Sequence, residues 1–181
     1  MIKRAHVPVE HAPPTWIATM PVERWMQHPV VTIGPDTSVN DAVAIMRERG
    51  IRHLSVLGAA NRLVGIVTDR DLRQVVLDVA VRGIGDDEPP IDLTAREVMT
   101  WGVVTVRPAA DLREAARIMR ERRLGALPVI DADGQVVGIL TERDLIDALQ
   151  AVLRERVIRP TATAAGPGGV YDPGIEARGD D

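Results

Sequence analysis

The stretch VGIVTDRDL at 64–72 returns as VGILTERDL at 137–145, and no other feature of the sequence limits the possible folds as much. The same shift of 73 positions aligns the chain without a gap from Met26 on Met99 to Leu72 on Leu145. Within that span VVTI (30–33) falls on VVTV (103–106), Pro35 on Pro108, and IMRER (45–49) on IMRER (118–122). A duplicated unit of this size is read as a pair, because one copy alone is short of partners for its apolar face.

Each copy opens on a short helical turn. TAREVM (94–99) carries Thr94 three residues before Glu97, a capping-box spacing, and in MPVERWM (20–26) Pro21 suits a first helical position. A short β run follows. In PDTSVNDAVAIMRERG (35–50), Val39, Ala42, Val43 and Met46 share one helical face, with Thr37 or Ser38 as cap and Gly50 as stop; Leu112, Ala115, Ala116 and Met119 repeat that face. LSVLGAANRLVGIV (54–67) and LPVIDADGQVVGIL (127–140) each read as two antiparallel strands around a turn, marked in the second copy by Asp133 and Gly134. A last helix begins in each TxRDL segment and runs on as RQVVLDV or IDALQAVLRERV. The unit is β-α-β-β-α and the class α/β of the α+β kind, small sheets with helices covering one side. The expected divisions are an N-terminal extension (1–20), a first repeat (21–81), a Gly-, Pro- and acid-rich linker (82–93), a second repeat (94–159) and a flexible tail (160–181) without apolar periodicity.

Composition narrows the functional classes. A hydrophobic content of 45% over 181 residues is enough for a core. With no cysteine there is no disulfide, thiolate nucleophile or thiolate metal site, and with no apolar run of roughly 20 residues there is no membrane span. The chain reads as a soluble, cytoplasmic protein. A net charge of −4 and a pI of about 5.6 supply no global positive field, so nucleic acid is not the expected partner. Lys3 is the only lysine among the basic residues; arginine suits bidentate contact with phosphate, although codon bias explains the preference equally well.

The TxxD inside each repeated stretch has two readings. A threonine with an acid three residues on is a capping box that satisfies the start of a helix. The preferred capping acid is Glu or Gln, however, and both copies use Asp (Asp71, Asp144). A shorter acid is expected to leave its carboxylate pointing outward, where two acceptor oxygens fit a vicinal diol while Thr68 or Thr141 and free helix N–H groups face an anion. Diol plus phosphate describes a ribonucleotide.

The segments GIRHLSVLGAANRLVGIVTDRDL (50–72) and RLGALPVIDADGQVVGILTERDL (123–145), doubled in register, resemble the cystathionine-β-synthase (CBS) domain family, whose members occur as tandem pairs called Bateman modules. The resemblance covers about residues 22–150. It implies a pseudo-twofold pair of repeats with two clefts between them that bind AMP, ADP, ATP or S-adenosylmethionine as a regulatory ligand, with no cofactor required. Carried over by motif, Asp71 and Asp144 hold the ribose; Thr68 and Thr141 stand near phosphate, joined by Arg70, Arg143, Arg52 and His53. The adenine wall falls to Val30, Val31, Thr32, Ile51 and Leu54 in the first copy and to Val103, Val104, Thr105, Leu124, Leu127 and Pro128 in the second. Ser55 departs from the family pattern where Pro128 fits it. Arg52 and His53 offer positive charge where Gly125 and Ala126 offer only room, so the two clefts need not be equivalent. Family pairs commonly associate through their long helices, and a homodimer is expected.

Other candidates are weaker. His6 and His11 are five apart in a Pro-rich start and share no helical face, so no metal site is expected. His28 is read as structural, Trp25 and Trp101 as packing or dimer anchors, and Met46 and Met119 as core. No nucleophile arrangement, HExxH or phosphate-binding glycine loop supports an enzyme. The sequence therefore reads as an adenosyl-ligand sensor with a possible protein target; the alternative is a scaffold of the same fold in which TxxD is only a cap.

Overall fold

In the computed structural model, which describes residues 20–81 and 93–158, the two copies fold by the same local rules. Ser38 rather than Thr37 opens α1 (Val39–Arg49), its hydroxyl accepting from the Asp41 amide at 3.0 Å, and Gly50 closes it in the left-handed region at φ 63°. In the second copy Asp111 accepts from the Arg113 amide at 2.8 Å to open α4 (Leu112–Arg122), and Arg123 takes the left-handed position at φ 57°. Val39, Ala42 and Met46, and again Leu112, Ala115 and Met119, are buried as their spacing predicts.

The strands β1 (Thr32–Ile33), β2 (His53–Leu57) and β3 (Leu63–Thr68) form one sheet in that order, β1 parallel and β3 antiparallel to β2. The second sheet has only β4 (Ala126–Ile130) and β5 (Val136–Thr141), and the expected strand near 103–106 shrinks to one parallel bridge between Val106 and Val129. The cause is Pro128 at the place of Ser55. Its carbonyl accepts from the Val106 amide at 3.1 Å, so the nitrogen on that same side has no N–H to extend the ladder. The last helices, α2 (Asp69–Val81) and α5 (Glu142–Ile158), start directly from β3 and β5. The expected N-terminal extension, linker and tail lie, but for their bordering residues, outside the described residues.

The opening turns correct the sequence reading, which placed each with its own repeat. They are exchanged. Val22, in a 3₁₀ turn (Val22–Arg24), is fully buried with Leu112, Leu127, Leu140 and Ala148 of the second repeat, while Ala95 and Met99, from α3 (Ala95–Val98) and its end, close the core of Val39, Leu54, Val56, Val67 and Leu72 in the first. Backbone bonds fix the exchange: Val22 N–H to Ala110 C=O (2.9 Å) and Ala95 N–H to Thr37 C=O (2.8 Å). Neither repeat completes its core alone. Thr94 and Glu97 form the expected capping box, but Pro21 is the residue before the turn rather than its first.

The exchange explains the glycine of each VGI. A Cβ on Gly138 would lie 2.5 Å from Met26 Sδ, and one on Gly65 would overlap the Met99 thioether. Alanine at either position should cost about 1–3 kcal/mol in denaturant unfolding. Truncating the facing methionine in the same chain should recover part of that loss, and unchanged midpoints for both glycine variants would contradict the packing.

Candidate functional site

The inner faces of the two sheets meet at a small apolar cluster of Ile66, Ala126 and Ile139, with Val30 and Val103 against it. The 73-residue relation makes Ile66 the counterpart of Ile139 and Val30 that of Val103, so the junction is pseudo-twofold. Arg62 bridges to its own counterpart Gln135, and the Gln27–Ile139 bridge is matched by Thr100–Ile66.

Beside this junction lies a cleft of about 480 Å³, within the size range of small-molecule sites. Pro29, Val30, Val31, Ile51, Arg52 and His53 of the first repeat form one wall, with Gln27, Arg49 and Gly50 at its rim; Ile139, Thr141 and Arg143 of the second repeat form the other. This cleft therefore combines the apolar wall of the first copy with the TxRD end of the second. By the same relation Val103, Val104 and Leu124 correspond at the opposite junction, with Thr68, Arg70 and Asp71 as the facing TxRD end.

Both TxxD aspartates cap their helices. Asp144 Oδ2 accepts from the Thr141 amide at 2.6 Å and its hydroxyl at 2.7 Å, and Asp71 Oδ2 accepts from the same groups of Thr68 at 2.9 and 2.8 Å. The carboxylates do not point outward, as the shorter side chain led us to expect: β3 and β5 run straight into their helices, and this brings the threonine amide within reach of an aspartate. One oxygen of each remains. Oδ1 of Asp144 accepts from Gln27 Nε2 at 3.0 Å. Cap and ligand contact are thus compatible roles for one carboxylate, each using a different oxygen.

Three guanidinium groups, Arg49, Arg52 and Arg143, border the cleft from exposed positions. His53 contributes no charge at neutral pH: burial, and then the positive Arg52 beside it, hold its pKa below the ordinary 6.5. Its Nε2 would stand 3.2 Å from a Cβ on Gly125, so the room that Gly125 leaves is used by the histidine. Leu54 and Leu127 correct the adenine-wall assignment: both are fully buried within the cores of their own repeats, because strand alternation turns them away from the junction, whereas Pro128, also fully buried, alternates to the face of β4 that carries Ala126. Thr32 is half-buried in β1 opposite Ser55, and Val104 and Thr105 are half-buried. Trp25 packs on the second core, whereas Trp101 is 57% exposed. Sequence reasoning missed Gln27, Pro29, Arg49, Gly50 and Ile139. Ile139 was available as the counterpart of Ile66 inside the shared VGI.

No helix among the described residues is long and apolar enough to cross a membrane, and no group of His, Asp or Glu there could hold a metal ion. The family model described as CBS domain matches residues 22–78 and again 95–151. The chain belongs to the CBS domain family. A CBS domain-containing protein of Dictyostelium discoideum is 33% identical over 135 residues, covering 73% of this chain and 92% of the relative. The crystal structure of CBSX2 in complex with AMP superposes with a TM-score of 0.62 at 30% identity, covering 74% of this chain and 98% of that one; CBSX2 is a chloroplastic protein of Arabidopsis thaliana. The CBS domain pair of protein MJ0100, in complex with 5′-methylthioadenosine and S-adenosyl-L-methionine, gives 0.61 at 25% identity, covering 72% and 99%. The chain spans less than two thirds of several curated relatives, 56% of an uncharacterised protein of Methanopyrus kandleri and 21% of a homoserine O-acetyltransferase of Methanohalobium evestigatum.

Proposed function

We propose that this CBS-domain chain is a regulatory ligand-binding module that senses adenosine derivatives, AMP, ADP, ATP or S-adenosylmethionine, in clefts between its two repeats. The observation that carries the reading is the cleft itself: an apolar wall from one repeat faces Thr141 and Arg143 at the helix start of the other, with Arg49 and Arg52 at the border and Asp144 behind the lining residue Gln27, whose amide it accepts from. Val30, Val31 and Ile51 suit a flat base, Asp144 a ribose, and Thr141, Arg143, Arg52 and Arg49 a phosphate chain. Asp71, Thr68 and Arg70, with Val103, Val104 and Leu124, take the corresponding roles at the other junction. AMP in CBSX2 and S-adenosylmethionine in MJ0100 support the ligand class. Because the cores are exchanged between repeats, a ligand that pulls on both walls acts on the packing of the whole pair, which is how occupancy reaches a protein target. The module acts as a cytoplasmic homodimer in this reading, joined through α5, and it needs no cofactor and no catalytic group.

Isothermal titration of nucleotide-stripped protein with AMP, ADP, ATP and S-adenosylmethionine tests it. Saturable binding of at least one compound at micromolar to submillimolar concentration is the expected outcome. Heats no larger than dilution for all four would remove the sensor reading in favour of the scaffold, in which the TxxD pairs are caps alone.

A further inference from the structure

Resting on that reading, the two clefts differ at a position that neither the TxRD motif nor the arginines cover. Gln27 and Thr100 are counterparts, each held by a two-bond bridge to the opposite repeat: Gln27 N–H to Ile139 C=O at 2.8 Å and Ile139 N–H to Gln27 C=O at 3.1 Å, Thr100 N–H to Ile66 C=O at 2.9 Å and Ile66 N–H to Thr100 C=O at 3.1 Å. The backbones are equivalent and the side chains are not. From this anchored position the Gln27 amide donates to Asp144 Oδ1, so both oxygens of that carboxylate are engaged within the protein, and Asp144 is only 6% exposed. At the other junction the threonine side chain is too short to make such a bond, and among the described residues Oδ1 of Asp71 accepts none.

We infer that Gln27 is a specificity-determining latch on the Asp144 cleft, competing with the ribose hydroxyls for Oδ1 and making that cleft the weaker of the two for a ribonucleoside ligand. A diol entering the Asp71 cleft finds a carboxylate oxygen open, whereas one entering the Asp144 cleft must first break a hydrogen bond to a charged group. Gln27 is itself exposed and can swing into solvent, so the latch lowers affinity without blocking entry. Gln27 lines the same cleft as Pro29 and Val30, so release of the amide falls where the base wall begins.

AMP is the probe, and the clefts are separated by Asp71→Asn, which leaves the Asp144 cleft as the ribose site, and Asp144→Asn, which leaves the other. In the Asp71→Asn background, Gln27→Thr should tighten AMP binding about tenfold, the scale of a lost charge-assisted hydrogen bond. In the Asp144→Asn background the same change should leave the dissociation constant within twofold. Threonine is the residue that the counterpart position already carries in the same conformation, so the variant is built to fold. A second readout uses the unsubstituted side chain: the NH2 resonance pair that disappears in Gln27→Thr should move toward solvent-exposed values as AMP is added. No tightening in the Asp71→Asn background, or equal tightening in both, would overturn the latch while leaving the sensor standing. If neither single-cleft variant nor the parent protein binds AMP or the other three compounds, the sensor reading fails and the latch with it.

Discussion

The double substitution Asp71→Glu, Asp144→Glu is expected to abolish thermal stabilisation by AMP, which at one hundred times its dissociation constant should protect the unsubstituted protein by about 2.7 kcal/mol per filled site. The chain contains its own control for the capping half of the argument. Glu97 reaches back to the Thr94 amide and hydroxyl at 2.8 Å each, the bonds that Asp71 makes to Thr68 and Asp144 to Thr141. A glutamate at 71 therefore keeps the cap, and with Asp71 only half-buried the unliganded stability should not change measurably. At 144 the extra methylene enters a side-chain space that is 6% exposed and faced by Gln27, so that single substitution should cost about 1–3 kcal/mol. In both cases the second carboxylate oxygen moves by one bond length, away from the place where a diol would meet it. Differential scanning fluorimetry on the two single variants and the double separates the effects. An AMP shift that survives in the double variant would make the aspartates caps and nothing more.

Much of this was legible because the repeat was. Duplication gives every position a counterpart, so the apolar helix faces, the hairpins and the TxRD helix starts could each be read twice. What local patterning could not carry was the exchange of the opening turns. MPVERWM and TAREVM have the same helical signal whichever core they enter, and contacts distant in sequence decide it, the backbone bonds from Val22 to Ala110 and from Ala95 to Thr37 and the close approach of Met26 to Gly138 and Met99 to Gly65. The same non-local cause hid the composition of the cleft, since a wall from 29–53 and a strand end and helix start at 139–143 share no sequence pattern. Leu54 and Leu127 were misassigned for a different reason: in a strand with one face on a core and the other on a junction, apolar residues serve both, and alternation alone does not say which face is which. Gln27 carried a signal of another kind. It is a place where two otherwise matched copies differ, and such differences mark where the two sites have diverged.

Leu149→Glu should convert the protein from a dimer to a monomer at micromolar concentration, raising the dimer dissociation constant by two orders of magnitude or more. On α5, Ile146, Leu149 and Leu153 are spaced three and four residues apart on one face and are 55%, 56% and 52% exposed, while Ala148 between them is buried in the second core at 2%. An aliphatic stripe of this kind, left out by a core that is already closed, is the surface through which the proposed dimer would form. Full burial of one such side chain contributes about 1.5–3 kcal/mol, and a twofold axis through the stripe would use every residue twice, so six side chains would form the apolar centre of the proposed dimer. The substitution removes two of them and sets two carboxylates against each other in their place, a juxtaposition that costs several kcal/mol. Glutamate has good helix propensity and position 149 is exposed within the single chain, so the fold itself should keep its melting temperature apart from the contribution of association. Light scattering at several concentrations reads the result directly. A parent protein that runs as a monomer, or a variant that stays dimeric, would place the contact between copies elsewhere and leave the stripe free for a different partner.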